Sequence, residues 1–378
     1  MWLDPDDVAA CVADPIPPGG GPAPTSPPVY QTSLFSFADF GSLVAGLESE
    51  HEQTVYSRGR NPTVRAVEDR LAYLERGDGA LCFGSGMGAI AAVFYGTLKA
   101  GDHVLFVNQT YGPTLQLARY LERFDVHHDV CLDLDPEAVR RAIRPETKLV
   151  WMESPGSMTF RVLDVPAVCE IAAKRGVTTC LDNSWATPLL QKPLELGVDI
   201  AVHTATKYLG GHSDLVAGAV VTSAGRIERL FYDTYLLSGA TCAPWTAWLL
   251  LRGMRTLPAR LAQHERDGLL VAEFLAAHPR IAAVHHPALN GDPSLVERQL
   301  RGFSGTFGFS LDTDEFSRVA GFIDRLERFR IGVSWGGVES LVLSPARPGS
   351  PSPLVRLSIG LEGADLLIAD LDRALSAS

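Results

Sequence analysis

Downstream of Thr63, apolar residues recur at helical spacing: Val64, Val67, Leu71 and Leu74, with charges between them and Gly77 closing the run. From there to about residue 199, short apolar runs alternate with amphipathic stretches. The runs at 103–107, 149–153, 178–182 and 200–204 read as strands, and the stretches around 115–124 and 165–175 read as helices. Such alternation implies βαβ units and a mostly parallel sheet. The apolar stretch 80–100 is broken by Gly, Ser, Thr and Lys99, so it predicts a turn and a buried helix, not a membrane span. A composition break at 238–244 leads into a helical stretch at 245–278, shorter strands at 304–311 and 353–362, and a last helix from Gly363. That pattern describes a smaller α/β domain. Upstream, prolines and glycines crowd residues 15–28, which predicts an extended or disordered arm with neither helix nor ladder. The chain therefore divides into an N-terminal arm (1–60), a large domain (61–240) and a C-terminal small domain (241–378).

The 378 residues suffice for a large core, and 46% hydrophobic with 20% charged is ordinary globular composition. Net charge is −11 with no basic run, which argues against a nucleic-acid or anionic-membrane partner. The six cysteines have no C-x-x-C spacing and several sit in apolar runs, as expected of reduced core thiols. The N-terminus has no signal-peptide pattern, so a cytoplasmic location is expected. Among the ten histidines only His127–His128 and His285–His286 are neighbours, and no metal site is expected.

The chemistry concentrates in HTATKYLGGHSD (203–214), directly after the apolar run 198–202. Lys207, flanked by Thr204 and Thr206, offers an amine that condenses with an aldehyde beside hydroxyls that hold a phosphate. Pyridoxal phosphate (PLP) carries both groups on one ring. Such a ring wants an acid at its nitrogen, and Asp182 in TTCLDNSWATP (178–188) supplies one at the end of the preceding strand. Taken singly, a lysine or an aspartate at a strand end is most often a solvated residue or a cap; the adjacency of two complementary motifs favours the cofactor. Glu153, Asp182 and Lys207 all fall at carboxyl ends of strands, where open α/β sheets bind ligands. GSGMG (84–88) opens a helix where backbone N–H groups meet an anion. A dinucleotide fingerprint fits less well, because the full G-x-G-x-x-G spacing is absent and Asp102 begins a strand.

These motifs, with YSRGRNPT (56–63) and ESPG (153–156), resemble the Cys/Met-metabolism family of PLP enzymes from about Pro27 to the C-terminus. The resemblance implies the fold-type I, aspartate aminotransferase-like fold. It implies that Gly86, Met87, Thr204 and Thr206 hold the PLP phosphate, that Tyr111 in QTYGPT stacks on the ring and handles protons, and that Asp182 meets the ring nitrogen. Tyr56, a catalytic candidate, and Arg58 would complete the phosphate site of a neighbouring subunit, where a guanidinium's planar fork suits phosphate. Arg356, a charge in an otherwise apolar strand, would clamp the substrate carboxylate, with Ser334 and Trp335 beside it. The family habit is a homodimer as catalytic unit, paired into a homotetramer.

Lys207 would then be cofactor attachment and general base in turn. Within the family, Trp185, Trp335, HPAL (286–289) and ESPGSMTF, in which Ser157 and Met158 replace Asn and Pro, resemble bacterial cystathionine β-lyases. YSRGRNPT resembles the γ-synthases and γ-lyases, and Val333 replaces an expected aromatic. The motifs lead to the expectation of cystathionine β-elimination to homocysteine, pyruvate and ammonia. The alternatives are a γ-acting member (cystathionine γ-synthase or γ-lyase, methionine γ-lyase, O-acylhomoserine sulfhydrylase) or a tailoring enzyme on a noncanonical amino acid.

Overall fold

The computed structural model describes residues 3–13 and 24–376. Twelve strands are assigned there: β1 Gly79–Phe83, β2 His103–Val107, β3 His127–Cys131, β4 Thr147–Glu153, β5 Thr178–Asp182, β6 Ile200–His203, β7 Gly218–Thr222, β8 Ile281–His285, β9 Thr306–Leu311, β10 Arg330–Ile331, β11 Leu341–Leu343 and β12 Leu354–Ser358. They form a seven-stranded sheet in the order β1-β7-β6-β5-β4-β2-β3 and a five-stranded sheet in the order β10-β11-β12-β9-β8. In the large sheet β6, β5, β4, β2 and β3 run parallel; β7 alone is antiparallel to its neighbours, β6 and β1. The fold is the expected α/β architecture, with a mostly parallel sheet and a second, smaller sheet domain.

Alternation along the strands explains why both faces of the large sheet are covered. Val104, Phe106, Leu149 and Trp151 point to one side, against Ile90, Val93 and Phe94. Leu105, Val107, Val150 and Met152 point to the other, against Val139, Val165 and Val168. The small sheet is backed by Val271, Leu275, Leu367 and Leu371, which meet Phe307, Phe309, Val355 and Leu357.

Among the described residues five α-helices precede β3: α1 Pro5–Val12, α2 Phe40–Glu48, α3 Pro62–Glu75, α4 Gly86–Thr97 and α5 Gly112–Leu121. In α3 the expected apolar stripe is buried, and Asn61 caps it through Thr63 N. The residue that turns out of the helix is Arg76, at φ 61°, rather than Gly77. Gly77 is needed for a different reason: a Cβ there would stand 2.5 Å from the Val221 side chain in β7.

The stretch 245–278 is two helices, Pro244–Arg255 and Leu257–Ala277, because Pro258 cannot donate the N–H that a continuous ladder needs. The acidic N-terminus contains α1, capped by Asp4 and led by Pro5, whose Asp7 is fully buried between Arg76 (2.8 Å) and Lys192 (2.7 Å). One of its acids is thus a buried anchor. Of the Pro/Gly-rich stretch, residues 14–23 lie outside the described residues; residues 24–28 carry no helix or strand. Among the described residues no helix is long and apolar enough to cross a membrane.

Candidate active site

The parallel strands bring their carboxyl ends to one edge. The chain leaves β2 through α5 to β3 on one side of the sheet, then returns to β4 and proceeds through β5 and β6 on the other. The crevice of an open α/β sheet opens at such a reversal. Tyr111 follows β2, Glu153 ends β4, Asp182 ends β5, and Lys207 follows β6. All four line one pocket, together with Thr204, Ser157, Met158, Phe160, Trp185, Thr306, Trp335 and Arg356.

Lys207 Nζ donates to Ser334 Oγ at 2.9 Å and lies 5.5 Å from the centre of the Trp335 ring. Burial, with the Arg356 cation nearby, pulls the amine down to about 8, against a smaller opposing pull from Asp182. Asp182 Oδ1 accepts from Ser184 N (3.0 Å) and Ser184 Oγ (2.5 Å), while Oδ2 has no hydrogen bond among the described residues. Burial raises its carboxyl above the usual range, opposed mainly by the two Ser184 bonds. Arg356 has no carboxylate partner among the described residues; it donates to the carbonyls of Val333 (3.0 Å) and Ser334 (3.2 Å), and burial lowers it to about 10. An unpaired guanidinium held by carbonyls at a pocket wall is suited to an incoming carboxylate.

The helix α4 begins beside this pocket. Ser85 caps it through Gly88 N (3.0 Å). A Cβ on Gly86 would meet Thr204 Oγ1 at 2.3 Å, and one on Gly218 in β7 would meet the Ser85 carbonyl at 2.2 Å. Two glycines thus let a helix N-terminus, a strand and the Thr204 hydroxyl converge, which is the shape and charge an anion requires. The two threonines differ. Thr204 Oγ1 has no partner among the described residues, whereas Thr206 Oγ1 bonds both the carbonyl and the N–H of Ala217 at 3.1 Å. The free Asp182 oxygen, the Lys207 amine and this cradle together fit PLP.

Tyr56 and Arg58 are exposed and line no part of this pocket; the Arg58 guanidinium sits 5.7 Å over the Tyr56 ring. The buried arginine of that motif is Arg60, which pairs with Glu68 at 2.6 Å. Met87 is partly buried in α4, beside Gly86.

Several lining residues had been given no role in the site from sequence. Glu153 is 6% exposed, sits opposite Asp182 in the β4–β5 register, accepts from Tyr111 N and Ser157 Oγ (both 2.7 Å), and is pushed up to about 8 by burial and by Asp182. Its place at the end of a central strand was the available signal. Met158 and Phe160 hold positive φ (70° and 50°) beside the pocket, a strained arrangement that nothing in their residue type announces.

Residues 22–376 match the Cys/Met metabolism PLP-dependent enzyme family. The chain is 38% identical to L-methionine gamma-lyase of Pseudomonas putida over 372 residues, covering 93% of this chain and 92% of that one. It is 37% identical to cystathionine gamma-synthase of Mycobacterium bovis over 362 residues, covering 92% and 91%. Among solved structures, cystathionine gamma synthase from Xanthomonas oryzae pv. oryzae, in complex with aminoacrylate and cysteine, superposes with a TM-score of 0.89 at 35% identity, covering 98% of this chain and 97% of that one. These relatives act at the γ-position by name, which turns the expected β-lyase kinship toward the alternative.

Proposed function

The chain belongs to the Cys/Met metabolism PLP-dependent enzyme family, and from that premise we propose that it eliminates or replaces the γ-substituent of a sulfur-containing amino acid. Pyridoxal phosphate is the cofactor. When bound, it supplies an aldehyde that takes up an amine and a ring that accepts the charge left when a proton leaves carbon.

The chain's residues do the rest. Asp182 would hold the ring nitrogen, its Oδ1 being taken by Ser184. The backbone of Gly86 and Met87 and the Thr204 hydroxyl hold the phosphate; Thr206 stiffens the loop through Ala217. Tyr111 covers the ring, and Arg356 orients the substrate carboxylate with Ser334 and Trp335 alongside. Met158, Phe160 and Trp185 give the substrate's tail an apolar wall. Tyr56 and Arg58 serve a second copy of the chain, which makes a dimer the catalytic unit.

The observation that carries the reading is the Lys207 amine. Its hydrogen bond goes to a hydroxyl, no carboxylate pairs with it among the described residues, and burial brings it to about 8. Such a group takes up and gives back protons near neutral pH. Chemistry at the γ-carbon asks for that twice, once at Cα and once at Cβ; the preference for γ over β rests on the likeness to γ-acting relatives.

The test is to incubate the PLP-loaded enzyme with L-cystathionine and identify the keto acid. The γ-reading expects 2-oxobutanoate with cysteine. Pyruvate with homocysteine would overturn it in favour of the β-elimination that Trp185, Trp335 and ESPGSMTF suggest.

A further inference from the structure

Glu153 stands where the chain reverses direction across the large sheet, and the assignments above leave it without a task. Its Oε1 accepts from the backbone N–H of Tyr111, which follows β2; its Oε2 meets the Ser157 hydroxyl, which follows β4. It therefore joins the two lips of the crevice. Its backbone is fixed as well, since the side-chain amide of Asn108, at the end of β2, donates to the Glu153 carbonyl at 2.9 Å. On the β5 side the neighbour in register is Asp182. Tyr111, Lys207 and Arg356 are the other titratable or charged groups that share the pocket.

Two buried carboxyls on adjacent strand ends do not both ionise readily. A protonated ring nitrogen, once the cofactor is bound, would keep Asp182 ionised and leave the proton to Glu153. A neutral carboxyl still makes both of its contacts: its carbonyl oxygen accepts from the amide, and its hydroxyl bonds the serine. We propose that Glu153 is a positioning residue that works as a neutral carboxyl, tying Tyr111 to Ser157 so that the ring-covering tyrosine and the wall beside the substrate keep one spacing. The direction of its acidity agrees, pushed up to about 8 by burial and Asp182. Above that pH a second charge appears beside Asp182, and although both donors still bond Glu153, the two carboxylates should push their strand ends apart.

This rests on the proposed site, in that Tyr111 must face the cofactor, but not on which bond is cleaved. The experiment therefore scores total keto acid, whichever it is, for the holoenzyme and its Glu153→Gln and Glu153→Ala variants between pH 6 and 9, alongside the visible spectrum of the bound cofactor. Glutamine reproduces a neutral carboxyl's bonds. It should stay within about threefold of the parent at pH 7 and lose the fall in rate centred near pH 8. Alanine leaves two bonds unmade and should lower kcat roughly 10- to 100-fold, with a shifted cofactor spectrum and the cofactor retained. If alanine prevents folding, Ser157→Ala removes one bond alone and should cost roughly threefold or more in kcat. Glutamine as damaging as alanine, an unaltered high-pH limb in Glu153→Gln, or an alanine or Ser157→Ala variant at parental activity would each overturn the proposal.

Discussion

Thr204 and Thr206 are the same residue type two positions apart, yet they are committed differently. The Thr206 hydroxyl is spent on both backbone groups of Ala217, and the Thr204 hydroxyl has no partner among the described residues and faces Gly86. Thr204→Val should therefore weaken PLP retention with little change in melting temperature. Thr206→Val should do the reverse, lowering stability by about 1–2 kcal/mol through two lost bonds. Cofactor titration and thermal unfolding on both variants separate the two roles; equal loss of cofactor would contradict the assignment. At this scale the sequence tells chemistry but not direction. Lys207 and Asp182 were recognisable because two complementary motifs stand at neighbouring strand ends, and Arg356 because a charge stands in an otherwise apolar strand. Which of two hydroxyls is free, or that Arg60 is the buried arginine of YSRGRNPT while Arg58 stays exposed, depends on contacts made far along the chain.

The elements themselves were legible wherever periodicity was strong. The strands at 103–107 and 178–182 match observation to the residue, since buried parallel strands are uniform apolar runs with polar ends. What escaped is what periodicity does not encode. β3 is a half-exposed edge, α1 hides its acid in an ion pair, and β7, the antiparallel strand, had no label in the pattern. β7 nevertheless shapes the site, because Gly218 lies against the loop that starts α4. A Cβ there would be 2.2 Å from the Ser85 carbonyl and 2.8 Å from Gly86 Cα, both backbone atoms that yield only if the cradle moves. Gly218→Ala should thus weaken PLP binding by an order of magnitude or more, about 1.4 kcal/mol or above, although it changes no side chain proposed to hold the cofactor. Spectrophotometric titration of the cofactor-free variant measures this. Parental affinity would mean that the start of α4 is not where the phosphate rests.

At the scale of the whole molecule, one chain encloses Lys207, Asp182, Tyr111 and Arg356 but leaves Tyr56 and Arg58 outside, exposed on the segment that precedes α3. Tyr30, Leu34, Phe40 and Leu47 on the same N-terminal stretch are also exposed, Phe40 at 78%. Apolar residues gathered on one segment suit burial against another copy, and the proposed dimer places each Tyr56–Arg58 pair at the neighbour's phosphate. The arrangement makes a signed prediction. Lys207→Ala removes the amine from a chain's own site; Arg58→Ala removes a phosphate ligand from the other chain's site. Each variant alone should be nearly inactive. Mixed so that subunits exchange, half of the dimers become hybrids, and in each hybrid one site carries both lesions while the other carries neither. Activity should recover to about a quarter of the parent's. Recovery requires that the two residues act from different chains. If Arg58 served its own chain's site, every site in every combination would keep one lesion, and mixing would restore nothing.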